Sequence, residues 1–214
     1  MAKTKSVYFC NNCGAESPKW IGRCPVCGEW NTYVEEVVST KSAAGGRGEF
    51  GTMEQSKVRP QRIDDIQITE ESRIDLGNGE LNRVLGGGLV RGSLVLIGGE
   101  PGIGKSTLIL QTVLALKGQK VLYVSGEESA RQLKLRAERI GGNAPDCYIV
   151  CETSLEDIFV HIRNVDPDIV VIDSIQTIAT SAMESSPGSV GQVRECAASL
   201  LKFAKQTNTP VLLV

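Results

Sequence analysis

Apolar positions in this chain come in short unbroken runs rather than in alternation. Ser93-Leu94-Val95-Leu96-Ile97, Lys120-Val121-Leu122-Tyr123-Val124, Tyr148-Ile149-Val150, Asp168-Ile169-Val170-Val171-Ile172-Asp173 and Pro210-Val211-Leu212-Leu213-Val214 each hold three or more consecutive apolar residues. A strand with one wet face alternates, so these runs predict strands buried on both faces, as in a parallel sheet. Helical patterning occupies the stretches between them. Residues 107–116, 130–140 and 192–207 read as helices, and Ser154-Leu155-Glu156-Asp157 opens another with a capping serine. A short helix around Glu80 to Leu85 is stopped by Gly86-Gly87-Gly88. Strand and helix in turn predict an α/β fold with a mostly parallel sheet.

The pattern is different ahead of this core. Residues 37–62 run through Ser-Thr-Lys-Ser-Ala-Ala-Gly-Gly-Arg-Gly with little apolar periodicity, which predicts a flexible linker. Residues 1–36 are then a small separate unit, and residues 63–214 the core. The chain ends at Val214 inside what reads as a strand, so the core is expected to be incomplete at that end.

Composition narrows the class. Of 214 residues, 41% are hydrophobic and 22% charged, which is globular. A net charge of −2 announces no nucleic-acid binder, so any such surface must be local. Met1 to Ser6 leads into no apolar signal region, and no run approaches the ~20 apolar residues of a membrane span, so no membrane partner is expected. Four of the seven cysteines are close together and three, Cys147, Cys151 and Cys196, are scattered. That usage suits a reducing, cytoplasmic compartment, with the scattered three read as small buried apolar residues.

The clustered cysteines carry the first chemistry. Cys10-Asn11-Asn12-Cys13 and Cys24-Pro25-Val26-Cys27 are two C-x-x-C knuckles, each followed by a glycine, Gly14 or Gly28. Two knuckles supply the four thiolates of a closed tetrahedral Zn²⁺ site, and about thirty residues cannot bury a core unaided. Cys10, Cys13, Cys24 and Cys27 are the expected ligands of a zinc ribbon. Its aromatics, Tyr8, Phe9, Trp20, Trp30 and Tyr33, are expected to pack around the metal, although base stacking is open to them.

The second chemistry is Gly99-Glu100-Pro101-Gly102-Ile103-Gly104-Lys105-Ser106, followed by Thr107, which fits the phosphate-binding pattern G-x-x-x-x-G-K-[ST] between a strand and a helix. The glycines let backbone N–H groups face inward, the helix start adds its positive end, Lys105 reaches the β- and γ-phosphates, and the Ser106 hydroxyl is placed for Mg²⁺. A nucleoside triphosphate is the expected ligand. Asp173, closing an apolar strand about seventy residues on, has the Walker B form, in which the acid contacts Mg²⁺. Glu127 and Glu128 follow the second strand and arrive at the same sheet edge as the phosphates. A carboxylate there can orient and deprotonate an attacking water, and the same acids would also suit the N-terminus of the next helix. Ser181 to Ser189 has no pattern and reads as a mobile loop.

Leu76 through Thr107 resembles the RecA-type ATPases of the RecA, DnaB and KaiC group. With the four-cysteine ribbon in front, the chain resembles the RadA (Sms) family of bacterial DNA repair ATPases, in that family's order of ribbon, linker and core. The resemblance implies a RecA-type P-loop ATPase hydrolysing ATP with Mg²⁺, carrying Zn²⁺ in its ribbon, and moving strands of branched DNA in repair and homologous recombination. It implies Glu127 as the water-activating base, with Glu128 assisting as in KaiC-like members, and Lys105 as the phosphate cation. Single-stranded or branched DNA, RecA recombinase and a homo-oligomeric ring, a hexamer, are the implied partners. The loop from Ser181 to Ser189 becomes a DNA-loop candidate despite lacking Lys and Arg. The strand at residues 210–214 should lie between the phosphate-loop and Walker B strands. The family's Lys-Asn-Arg-Phe-Gly motif and Lon-protease-like domain do not occur in these residues. A KaiC-like nucleotide switch without direct DNA action is the alternative.

Overall fold

The structure is a computed structural model that describes residues 3–40, 62–65, 73–141 and 146–214. Most of the expected linker, residues 41–61, lies outside the described residues.

The N-terminal unit is a three-stranded antiparallel sheet. Strand β1 (Lys3–Cys10) pairs with β2 (Glu16–Ser17) on one side and β3 (Tyr33–Thr40) on the other. The register sets Cys10 opposite Tyr33 and Tyr8 opposite Ser17. The knuckles are closed by backbone bonds from Gly14 N–H to Cys10 C=O (2.8 Å) and from Gly28 N–H to Cys24 C=O (2.9 Å). Gly14 (φ 73°) and Gly28 (φ 78°) take the left-handed conformation that these turns need and other residues resist. Cys10, Cys24 and Tyr33 form the small core, with Phe9 also buried. The two tryptophans do not join it. Trp20 is 55% and Trp30 67% exposed, so the expected packing around the metal holds for Tyr33 and the partly buried Tyr8, which pack with Cys10 and Cys24, and fails for the indoles. Trp30 instead lies under the Arg23 guanidinium, 5.7 Å from the ring centroid.

The larger unit begins with the antiparallel pair β4 (Arg73–Ile74) and β5 (Leu89–Val90), linked by helix α1 (Gly79–Val84), whose N-terminus is capped by the Asn78 side chain. Next come β6 (Leu94–Leu96), α2 (Lys105–Ala115), β7 (Val121–Ser125), α3 (Ala130–Ile140), β8 (Cys147–Cys151), α4 (Leu155–Val165), β9 (Ile169–Asp173), α5 (Val190–Thr207) and β10 (Val211–Leu213). Helices α3, α4 and α5 each start on a serine, at 129, 154 and 189, whose side chain accepts a backbone N–H of the first turn.

The five long-range strands form one parallel sheet in the order β6-β10-β9-β7-β8. β10 does lie between the phosphate-loop strand and the Walker B strand, as the resemblance implied. Alternate residues of each central strand serve opposite faces. Val121, Tyr123, Ile169, Val171 and Leu212 pack with α2 and α3, whereas Leu122, Val124, Val170, Ile172 and Val211 pack with α4 and α5. Both faces are covered, which is why these segments read as unbroken apolar runs. β6 and β8 are the exceptions, being the two edge strands: Leu96 is 63% and Tyr148 46% exposed, and Cys151 is exposed and Cys147 only part-buried, contrary to their reading as buried residues.

The segment from Ser181 to Ser189 is more tightly tied than its composition suggested. The buried Gln192 amide donates to the C=O groups of Thr180, Met183 and Ser185 and accepts the Thr180 N–H. The Glu156 carboxylate accepts from the Thr180 hydroxyl and from the Ser181 N–H and hydroxyl.

Candidate functional site: a phosphate-loop cleft beside a four-thiol cage

The order in which the chain adds strands to the sheet reverses between β7 and β9, and the loops leaving the carboxyl ends of β6, β7 and β9 open onto one cleft of about 1540 Å³. Gly98, Gly99, Pro101, Gly102, Lys105 and Ser106 line it on one side. Glu127, Asp173 and Ser174 face them.

The loop after β6 turns through positive φ at Gly102 (78°) and Gly104 (101°), and Gly104 caps α2 with no side-chain hydrogen bond. The first N–H groups of α2 therefore have no capping side chain on them and point toward the loop, which is the arrangement that binds phosphate. The Lys105 ammonium lies across the loop, donating to the C=O of Gly99 (2.9 Å) and Glu100 (3.0 Å). Thr107 is exposed on α2 and, with Glu100, Ile103 and Gly104, is not part of the cleft wall.

Asp173 is the best-anchored acid of the site. It is 8% exposed, one oxygen accepts the Ser106 hydroxyl at 3.0 Å and the other accepts the Tyr123 hydroxyl at 2.5 Å. Two residues that sequence places 67 positions apart thus meet at the strand end. On the same side of the cleft as Asp173, the Ser174 hydroxyl donates to Glu127 at 2.7 Å. The two acids after β7 separate here. Glu127 is exposed to the cleft, whereas the Glu128 carboxylate is ion-paired with Arg136 of α3 and lies outside the cleft wall. Gly126 between them and the strand is pressed on Thr177, where a Cβ would stand 1.8 Å from the threonine hydroxyl oxygen.

The four expected zinc ligands converge. The sulfurs of Cys10, Cys13, Cys24 and Cys27 all lie within 4.8 Å of one another, with Cys10 and Cys27 3.6 Å apart and Cys13 and Cys24 3.5 Å apart. Sulfurs of a tetrahedral Zn–S₄ cage, with Zn–S of about 2.3 Å, stand roughly 3.8 Å apart. The donor set and its spacing fit that metal. Around it, the Thr32 hydroxyl lies 3.1 Å from Cys10 Sγ and the Tyr33 hydroxyl 3.7 Å from Cys24 Sγ. Burial works against a thiolate at Cys24, but N–H groups of the Cys27 and Val26 backbone and the Tyr33 hydroxyl outweigh it, so this thiol is held low, at about 6. The surroundings of Cys24 thus favour the ionised form that metals bind, whereas at Cys13 a backbone bond from Ala15 favours it but burial and the neighbouring thiols outweigh that bond and push the thiol up.

The ribbon also borders the cleft. Gly14, Glu16 and Val26 contribute to its wall, and Glu16 pairs with Arg194 of α5 at 2.9 Å. Sequence reading missed this contact, as it missed Tyr123. The pairing of two exposed charges leaves no trace in composition, but a lone tyrosine in an otherwise aliphatic buried strand is a legible signal.

A parallel sheet with a glycine loop after one strand and an acid closing another defines a P-loop ATPase core, and the chain belongs to the family described as AAA domain, which matches residues 57–214. Residues 8–35 match the family described as rubredoxin metal binding domain. Over its whole length the chain is similar to proteins named DNA repair protein RadA. It is 53% identical over 216 residues to that of Bacillus subtilis, 49% over 215 residues to that of Listeria monocytogenes and 47% over 215 residues to that of Pseudomonas aeruginosa. Each comparison covers 100% of this chain and 46% or 47% of the relative, so the chain spans about half the length of the curated relatives it matches. No helix among the described residues is long and apolar enough to cross a membrane.

Proposed function

We propose that this chain is the nucleotide-hydrolysing part of a DNA repair ATPase acting on single-stranded or branched DNA in the cytoplasm. The observation that carries the reading is the convergence of Lys105, Ser106, Asp173 and Glu127 on one cleft, with Ser106 bonded to Asp173. In it, residues 99–106 cradle the triphosphate of ATP with their backbone, and Lys105 exchanges its two carbonyl partners for β- and γ-phosphate oxygens. Ser106 and Asp173 hold Mg²⁺, which when bound neutralises charge on the phosphates. Glu127, oriented by Ser174, positions a water and takes its proton as the oxygen attacks the γ-phosphorus, giving ADP and phosphate. Glu128 is bound to Arg136 and supports the loop rather than the water. Cys10, Cys13, Cys24 and Cys27 hold Zn²⁺ as a structural ion.

DNA repair enters through the name shared by the relatives. Branch migration, a RecA recombinase partner and a hexameric ring with sites between subunits extend that reading, in keeping with the family resemblance. The loop from Ser181 to Ser189 is the proposed DNA-facing segment. ATP hydrolysis measured with and without single-stranded DNA at low salt, alongside Lys105→Ala and Glu127→Gln, tests the proposal. DNA stimulation abolished by both substitutions supports it. A rate indifferent to DNA overturns the DNA motor and leaves a nucleotide switch.

A further inference from the structure

Tyr123 is a fully buried side chain on the β7 face that packs with α2 and α3, among Ile109, Val171 and Leu212. Its neighbours along β7 are Leu122 and Val124, so a phenylalanine would meet the packing requirement of this position without carrying a hydroxyl into the core. That hydroxyl is spent on one acceptor. It donates to Oδ2 of Asp173 at 2.5 Å, the length of a charge-assisted O–H···O⁻ bond, while Oδ1 of the same carboxylate accepts the Ser106 hydroxyl at 3.0 Å. Each oxygen of the acid is thus held by a different hydroxyl, and the two hydroxyls come from different elements, β7 and α2.

Ser106 and Asp173 line the cleft and Tyr123 does not, so the Tyr123 bond holds the carboxylate from its buried side and the Ser106 bond from its cleft side. From this arrangement we infer that Tyr123 is a positioning residue for the divalent cation, fixing the Asp173 carboxylate so that its Ser106-side oxygen is the one presented to the metal. The inference rests on the reading above that Ser106 and Asp173 hold the magnesium of Mg-ATP. Partners of this kind, which touch a ligand and not the metal, shift metal affinity by about 10- to 100-fold when removed.

The test is Tyr123→Phe in the full chain, with binding of a fluorescent ATP analogue followed against free Mg²⁺ and, separately, in EDTA. The expected result is a half-saturating Mg²⁺ concentration raised about tenfold, with metal-free nucleotide binding unchanged. A role confined to packing would weaken binding equally with and without metal, and that result overturns the inference, as does an unshifted Mg²⁺ dependence. If the wild-type protein bound nucleotide with no response to Mg²⁺, the reading of Ser106 and Asp173 would itself fail, a result distinguishable from failure of the variant alone. Tyr123→Met, which fills much of the same volume with a flexible apolar chain, asks the same question if the phenylalanine variant does not fold.

Discussion

The Ser174 hydroxyl donates to Oε1 of Glu127 at 2.7 Å, joining the residue just after the Walker B strand to the acid just after β7. Glu127 is exposed and would otherwise be free to rotate, whereas Ser174 is 9% exposed and its own C=O accepts the Thr177 hydroxyl at 2.8 Å. The acid is therefore aimed by a fixed part of the sheet edge. Ser174→Ala should lower kcat for ATP hydrolysis by about tenfold, the scale of losing one orienting hydrogen bond to a charged group, and leave KM for ATP nearly unchanged. Steady-state kinetics decide it. A raised KM at constant kcat would mean that Ser174 serves binding and not the base.

Gly126 is required for space and not for backbone conformation. A Cβ there would stand 1.8 Å from Thr177 Oγ1 and 2.6 Å from Thr177 Cβ, distances no side chain tolerates. Its N–H also donates to the Asp173 C=O at 2.9 Å, so a shift of this backbone pulls on the Walker B strand. Gly126→Ala should destabilise the core by about 1–3 kcal/mol, the cost of overpacking, and Thr177→Gly in the same chain should return most of it. Denaturant midpoints of the single and double variants measure both effects. No recovery in the double variant would mean that the strain comes from another neighbour.

What could be read from sequence follows from how directly each feature depends on neighbours in the chain. Runs such as Ile169 to Ile172 became buried strands because a doubly covered sheet tolerates no polar position, and Ser129, Ser154 and Ser189 cap helices through bonds that span three residues. The phosphate loop and both knuckles are local turns set by glycines, so they were legible to the residue. Edge position is not local. Tyr148-Ile149-Val150 has the same apolar character as β7, and only the strand order leaves β8 half exposed. The order itself, with β10 inserted beside β6, came with the family resemblance and not with the pattern. Exposure of Trp20 and Trp30 follows from size: a unit whose core is Cys10, Cys24 and Tyr33 has no second layer to cover an indole. The anchoring of residues 181–189 hangs on Gln192, a single amide whose three carbonyl partners no spacing rule announces.

Acid should loosen that anchored loop first. Burial acts to raise the Glu156 carboxyl, but the Thr180 and Ser181 hydroxyls and the Ser181 N–H outweigh it and hold the group below its ordinary value of 4.5. A carboxylate lowered in the folded state stabilises fully above the unfolded value and loses that contribution as pH falls through the folded one. The stability difference between wild type and Glu156→Gln should therefore be constant above about pH 6 and shrink below 4.5. Urea unfolding across that range, with protease cutting within residues 181–189 as the local readout, checks it. A difference that persists unchanged into acid would show that the carboxylate's charge has no part in holding the loop.

Metal removal should separate the ribbon from the core. Among the described residues of the ribbon, Phe9, Cys10, Cys24 and Tyr33 are the buried apolar side chains, with Tyr8, Ala15 and Cys27 only partly buried against them, so the bound ion supplies most of its folding free energy. The ion pair that ties it to α5 is weak by comparison. Arg194 and Glu16 are 64% and 54% exposed, and pairs this open contribute about 0.2–1 kcal/mol at most. Cys24→Ser should thus abolish stoichiometric zinc and the ribbon's near-ultraviolet signal from Trp20 and Trp30, while the core's unfolding midpoint moves by no more than that ion pair's contribution. Zinc content by atomic absorption and two-probe unfolding test the expectation. Nucleotide affinity should change little too, since the ribbon borders the cleft through Gly14, Glu16 and Val26 but none of the phosphate-loop donors lies on it. A core that unfolded together with the ribbon would overturn this separation and make the docked ribbon an integral wall of the ATP site.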